Sequence, residues 1–278
     1  MSCASNRTVL ITGCSSGIGL CVAHDLRRRG YRVIASARKP EDVTRLREEG
    51  LESLQLDLAD PDSVRKAAQQ VLEITDQRIY GLFNNGAYGQ PGAVEDLSRE
   101  ALRLQFETNL FGWHQLTCLL IPAMRCQGEG RIIQNSSVLG LVALRYRGAY
   151  VASKFALEGL SDCLRLELEG SGVRVSLIEP GPITSRFRDN AYRMWKAHVD
   201  PSDSPHRDTY RAMEERLTKP GPAAPFTLPP EAVLKRVVHA LESPRPRIRY
   251  YVTFPTYLFA LLRRILPPGI LDRVLKRV

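Results

Sequence analysis

The chain has 278 residues, 44% apolar and 25% charged, the composition of an ordinary globular protein long enough for one large α/β domain or two small ones. The net charge of +9 is concentrated: residues 245–278 hold eight Lys or Arg against Asp272 alone, and the rest is nearly balanced, which argues against a diffuse basic footprint for nucleic acid. No run reaches the roughly 18 apolar residues of a spanning helix, the first apolar stretch is too short for a signal-peptide core, and the six cysteines (Cys3, Cys14, Cys21, Cys118, Cys126, Cys163) form no C-x-x-C pair, so reduced thiols in a cytoplasmic protein are expected.

RTVLIT (7–12) is a β-branched apolar run that stops at Gly13, and TGCSSGIG (12–19) then opens a helix. Gly13, Gly17 and Gly19 have the spacing G-x-x-x-G-x-G, a variant of the dinucleotide fingerprint. Such a turn lets a pyrophosphate approach backbone N–H groups at a positive helix end, with Ser15, Ser16 and Ile18 completing the set. The plain alternative is a glycine turn with no ligand. A second run, YRVIASA (31–37), ends at Arg38 and Lys39, where an NAD-selective fold tends to carry an acid. A guanidinium there grips a 2′-phosphate through two hydrogen bonds, which favours NADP(H) over a merely solvated basic turn. LESLQLD (51–57) ends in Asp57, a candidate acceptor for the adenine amino group.

DPDSVRKAAQQVLEI reads as a helix with Asp60 as N-cap and Pro61 at its first position. IYGLFNN (79–85) is a fourth strand. Asn109, a poor helix former, interrupts the helix REALRLQFETNLFGWHQL. GRIIQNSS (130–137) is a fifth strand with Ser137 at its end, and GVRVSLIEP (172–180) a sixth. Residues 181–229 read as a long irregular segment over the carboxyl ends of the strands, where substrate would bind. IRYYV (248–252) supplies a seventh strand. Strands alternating with helices at this spacing predict a single doubly wound Rossmann-type α/β domain over 1–253, a parallel sheet with helices on both faces.

GAYVASKFALEGLSD (148–162) reads as a helix of small and apolar residues that also carries Tyr150 and Lys154 on one face. A cation one turn away favours the phenolate and makes tyrosine a usable acid/base. Taken alone, the pair also fits two exposed polar residues at a common helical spacing. An apolar stripe, Ala152, Phe155, Ala156, Gly159, Leu160, Cys163 and Leu164, is expected to face the core or a partner. The five histidines show no metal-ligand spacing, and no metal is expected.

TGCSSGIG, NNGA (84–87), Asn109, NSS (135–137) and Y-x-x-x-K, in this order, resemble the short-chain dehydrogenase/reductase family from about residue 7 to 185. Within it the chain is most similar to bacterial NADP-dependent aldehyde and ketone reductases, with vertebrate hydroxysteroid and retinol dehydrogenases more distant. The resemblance implies Tyr150 as proton donor or acceptor and Lys154 lowering its pKa while bonding the nicotinamide ribose. It implies Ser137 holding the substrate oxygen, with Ser136 the lesser candidate, and Asn109 binding a water that links Lys154 to solvent. Asn85 and Gly86 would border the cofactor, and Pro180, Gly181, Ile183 and Thr184 would line its nicotinamide side. One motif departs: the family reads N-N-A-G where this chain has Asn84-Asn85-Gly86-Ala87, so Ala87 would cost about 1 kcal/mol if its backbone needs positive φ.

The expected function is NADP(H)-dependent reduction of aldehydes or ketones. The alternatives are a steroid- or retinoid-like alcohol dehydrogenase working oxidatively and a non-catalytic NADPH-sensing protein. A homo-oligomer is expected, since Ala149, Ala152, Ser153, Ala156 and Gly159 permit close helix pairing. The basic amphipathic tail, 254–278, packs on the core or caps the cleft on one reading, and touches an anionic membrane surface on the other.

Overall fold

The computed structural model describes residues 7–222 and 224–277. Seven strands build one sheet: β1 (Thr8–Ile11), β2 (Arg32–Ala37), β3 (Glu52–Gln55), β4 (Gly81–Asn84), β5 (Gly130–Asn135), β6 (Val173–Glu179) and β7 (Arg249–Tyr251). Each lies inside the run assigned to it from sequence. Their order is 3-2-1-4-5-6-7, and every pair is parallel. The chain winds outward one way through β2 and β3, then returns across β1 to β4 and winds the other way. That reversal opens a crevice beyond the carboxyl ends of β1 and β4, where ligands bind in such sheets.

Each face is covered by helices. On one side α1 (Gly17–Arg28), α2 (Pro40–Glu48) and α9 (Glu231–Glu242) bury Val22, Leu26, Leu46, Val233 and Val237 against one face of the sheet. On the other, α3 (Pro61–Ile74), α5 (Gly112–Gln127) and α6 (Gly148–Glu167) bury Val71, Trp113, Leu116, Leu120 and Leu157. Each aliphatic side chain so removed from water is worth about 1.5–3 kcal/mol. The start of α3 is as expected: the Asp60 carboxylate accepts from the Asp62 N–H at 2.9 Å, and Pro61 takes the first helical position.

The expectation of an irregular segment over 181–229 is corrected. It contains α7 (Phe187–His198) and α8 (Arg207–Thr218), packed together. Trp195, Tyr210, Val199 and Ala93 form a small separate core, joined by Tyr146, Tyr192 and Met213. Large aromatics at helical spacing hold these helices despite polar surroundings, and polar composition concealed them. The stripe on α6 is divided: Ala156 and Leu164 pack on the core, and the rest lies at the surface. Ala152, Phe155, Gly159, Leu160 and Cys163 are exposed, while Ala149, Ser153, Lys154, Leu157, Glu158 and Ser161 face inward. The small-residue face proposed for helix pairing is therefore split, with Ala149 and Ser153 spent on the protein's own body.

The tail forms α10 (Phe254–Ile265) and α11 (Pro268–Leu275). The first packs by Thr256, Phe259 and Ala260 beside the turn at Val138–Gly140. Its opposite face, Phe254, Tyr257, Leu258, Leu261 and Ile265, is exposed. Among the described residues no helix is long and apolar enough to cross a membrane.

Candidate active site

The glycine turn sits at the carboxyl end of β1. Gly13 and Gly17 have φ of +71° and +59°, which favour glycine. A Cβ on Gly13 would lie 2.5 Å from the Gly86 Cα, and one on Gly19 would overlap the Gly13 carbonyl. Ser16 is the N-cap of α1 in extended conformation, and its side chain makes no cap. The first N–H groups of α1 are thus left for a ligand. The Ser15 carbonyl accepts from the Arg45 guanidinium at 2.7 Å, which anchors the turn, and Ile18 packs on the core.

The turn is bolted to the NNGA loop. The Thr12 hydroxyl accepts from the N–H groups of Asn85 and Gly86, at 2.8 and 2.9 Å. Asn85 Nδ2 donates to the Thr12 carbonyl at 3.0 Å, and its Oδ1 accepts from Asn135 Nδ2 at 2.9 Å. Thr12 and Asn135 were not picked out from the sequence, although both lie within the quoted motifs. Gly86 is the crowded position, its missing Cβ facing Leu58 and Gly13. Ala87 lies outside the left-handed region and packs on the core. The exchanged pair therefore carries no backbone strain, and the feared cost falls away.

Arg38 follows β2, exposed, with only its backbone carbonyl engaged, by Gln55 at 3.0 Å. The nearby Glu41 pairs with Lys39 at 3.3 Å instead. Asp57 Oδ1 accepts from the Ala59 N–H at 3.0 Å at the mouth of β3. Pro180 accepts from the Val138 N–H at 2.8 Å, tying the end of β6 to the loop after Ser137. Gly181 presses on Thr253, Ile183 bridges to Leu228, and Thr184 donates to the Leu228 carbonyl at 3.0 Å. These residues lie around the carboxyl ends of the strands, and Gly13 and Gly19 let the turn pack closely on Gly86 and on itself.

Asn109 lies fully buried in a π-turn, Glu107–Phe111, that joins α4 (Arg99–Phe106) to α5. A π-turn frees a carbonyl from the helical ladder and recurs at functional sites. The Asn109 side chain clamps Tyr88, donating to its carbonyl at 2.8 Å and accepting from its N–H at 3.2 Å. Its Nδ2 also reaches Ser153 Oγ at 3.4 Å.

Ser137, Tyr150 and Lys154 converge beneath α7. The Ser137 hydroxyl accepts from the Leu139 N–H at 3.1 Å and faces the Tyr150 phenol. Ser136 turns the other way, toward Glu158. Burial pushes the Tyr150 phenol up to about 12, opposed by the Ser137 hydrogen bond and the Arg147 charge. Phe187 packs its ring on Tyr150 at 5.3 Å, a neighbour no sequence signal announced. Tyr146, four residues earlier, points instead toward His206.

Lys154 is buried, with its ammonium 2.8 Å from the Asn135 carbonyl and 4.4 Å from the centre of the Trp113 ring. Trp113 is itself fixed by donating to the Gly86 carbonyl at 2.8 Å. Burial pulls Lys154 down to about 7, and Glu158 one turn on opposes this. The expectation that the lysine charge would lower Tyr150 is thus not the dominant effect here. Burial drives both groups toward their neutral forms.

Behind Lys154 lies a partly buried ionic cluster. Arg249 reaches Glu158 at 3.2 Å, Asp162 at 2.6 Å and Glu179 at 3.2 Å. Burial and the Glu158 charge raise Glu179 to about 9, so it is protonated at neutral pH. The two remaining carboxylates, Glu158 and Asp162, then pair with Arg249. Buried charges persist only in such paired sets.

Residues 7–195 match the short chain dehydrogenase family. The chain is 47% identical to the uncharacterized oxidoreductase YbbO of Escherichia coli strain K12, over 97% of this chain and 94% of that one. It is 34% identical to human retinol dehydrogenase 5, over 98% of this chain and 88% of that one. A short chain dehydrogenase/reductase of Burkholderia phymatum in complex with NAD shares the fold, with a TM-score of 0.80 at 22% identity over 95% of this chain and 94% of that one. On this match and these identities, the chain belongs to the short-chain dehydrogenase/reductase family and is an oxidoreductase that uses NAD or NADP.

Proposed function

We propose that the protein reduces aldehydes or ketones to alcohols with NADPH, and that Tyr150 delivers the proton. The observation that carries this reading is a neutral Tyr150 phenol facing Ser137, one helical turn from Lys154. NADPH, when bound, supplies the hydride. Tyr150 donates its proton to the substrate oxygen while the Ser137 hydroxyl, oriented by the Leu139 N–H, hydrogen-bonds the same oxygen. Lys154 spends one donor on the Asn135 carbonyl and has others for a ribose hydroxyl. Asn109 holds the Tyr88 backbone, and with it the wall of the pocket. Exposed Arg38 supports a choice of NADP over NAD.

The oxidative alternative has the name of the human retinol dehydrogenase in its favour. Tyr150 can serve either direction, donating its proton in reduction and accepting one in oxidation, so the alcohol arm of the assay below decides between them. The assembled Ser137, Tyr150, Lys154 and Asn109 weigh against a purely sensing role. Part of the same reading is peripheral contact of α10 with an anionic bilayer. Its outer face is apolar opposite its buried face, and Arg263, Arg264, Arg273, Lys276 and Arg277 flank it. A second copy on that face would bring like charges together. A panel of aldehydes and ketones followed by NADPH oxidation, with the matching alcohols and NAD or NADP in reverse, tests the function. Turnover confined to alcohol oxidation with NAD would refute it.

A further inference from the structure

We propose that the substrate carries an anionic group, a carboxylate or phosphate, which Arg147 and Arg216 bind beside Tyr150. This rests on the carbonyl-reductase reading above and narrows its substrate class. Half-buried arginines elsewhere in the fold reach acceptors: Arg45 takes Asp42, Glu49 and the Ser15 carbonyl, and Arg249 takes three carboxylates. Arg147 and Arg216 are also half-buried, yet among the described residues neither has a hydrogen-bond or ion-pair partner, and their charged neighbours include no carboxylate.

Their placement is specific. Arg147 heads α6 one turn before Tyr150 and acts electrostatically on its phenol. Arg216, in the last turn of α8, is the charged neighbour of Arg147. Arg188 follows Phe187, the residue packed on Tyr150, and donates to the carbonyls of Lys219 and Gly221 just past α8. It is in turn the charged neighbour of Arg216, and its Nε is buried without an acceptor. Among the acids nearby, Glu214 is engaged by Tyr192 and Lys196, Glu95 by His206, and Asp96 by Tyr210 and Ser204. Three guanidinium groups from three elements therefore gather near the phenol, and no carboxylate is among the charged neighbours of Arg147 or Arg216. Half-buried cations that repel one another are costly unless an anion arrives, and the guanidinium fork suits a carboxylate or phosphate.

The same chemistry could serve the phosphates of the dinucleotide, and the experiment separates the two. A graded series of straight-chain aldehydes, each paired with its ω-carboxylate counterpart, is assayed by NADPH oxidation, and NADPH affinity is titrated in parallel. In the wild type kcat/KM should favour the carboxylate member of the best pair by roughly 10–150-fold, the worth of a charge-assisted hydrogen bond. Arg216→Met, which keeps the stem, should abolish most of that preference, and Arg216→Lys should retain part of it, both with NADPH affinity unchanged. Equal kcat/KM for both members in the wild type overturns the anion site alone. Loss of NADPH affinity in Arg216→Met with the preference intact assigns the arginine to the cofactor and also overturns it. No turnover on any aldehyde overturns the carbonyl-reductase reading together with this one.

Discussion

Replacing Tyr150 by phenylalanine removes one hydroxyl and little else. The ring keeps its edge contact with Phe187 at 5.3 Å, and the helix carrying Lys154 is untouched, so NADPH should bind almost as before. The chemistry should not survive. With the phenol raised to about 12, about one in 10⁵ is ionised at pH 7, so the residue stands ready as a donor. General acid catalysis is worth 10²–10⁴-fold, and carbonyl reduction by Tyr150→Phe should fall by about that factor. The same phenol makes a second demand. Alcohol oxidation needs the phenolate, so before cofactor binding its kcat/KM should rise on going above pH 7, unless loss of the Lys154 charge at about 7 cancels the gain. The assay is NADPH oxidation with an aldehyde that the wild type turns over, alongside a fluorescence titration of NADPH. A variant within a few fold of wild-type turnover, with cofactor affinity intact, would refute the assignment.

Arg38→Ala should cost NADPH about 1.5–3 kcal/mol of binding, roughly 10–150-fold, and leave NADH unaffected; equal affinity of the wild type for both nucleotides would contradict the NADP choice. Glu179 binds a proton in the folded state between its ordinary 4.5 and about 9, whereas the unfolded chain does not, so it makes stability decline as pH rises through that window. Lys154 has the opposite sign, but only above about 7. Melting temperatures of Glu179→Gln between pH 5 and 7 should therefore fall less with pH than those of the wild type, and an identical slope would show that Glu179 is ionised in the fold. On α10, Leu261→Asp with Ile265→Asp should lower flotation with phosphatidylserine-containing vesicles at low salt by roughly tenfold or more; a wild type that never floats would leave the tail as part of the fold alone.

The parallel sheet, the glycine turn and the helix that carries Tyr150 and Lys154 are legible in the sequence, because they follow from local patterns. Short β-branched runs, an Asp–Pro start and i, i+4 spacing act within a few residues. The sequence also marked Asn109 as an interruption, which the fold turned into a π-turn rather than a break. The remaining features depend on partners far apart in the chain. Ala87 is unstrained because its backbone avoids the left-handed region while Gly86 takes the close approach to Gly13. The lysine rests on Trp113 and Asn135, and its charge is governed by burial and by a carboxylate cluster closed by Arg249, 91 residues from Glu158. α7 and α8 were hidden in a polar stretch, and the packing of Trp195 on Tyr210 across the loop between them is fixed only by the fold. Desolvation depends on everything packed around a group, so the sequence could name Tyr150 and Lys154 but not which of their protonation states the fold favours.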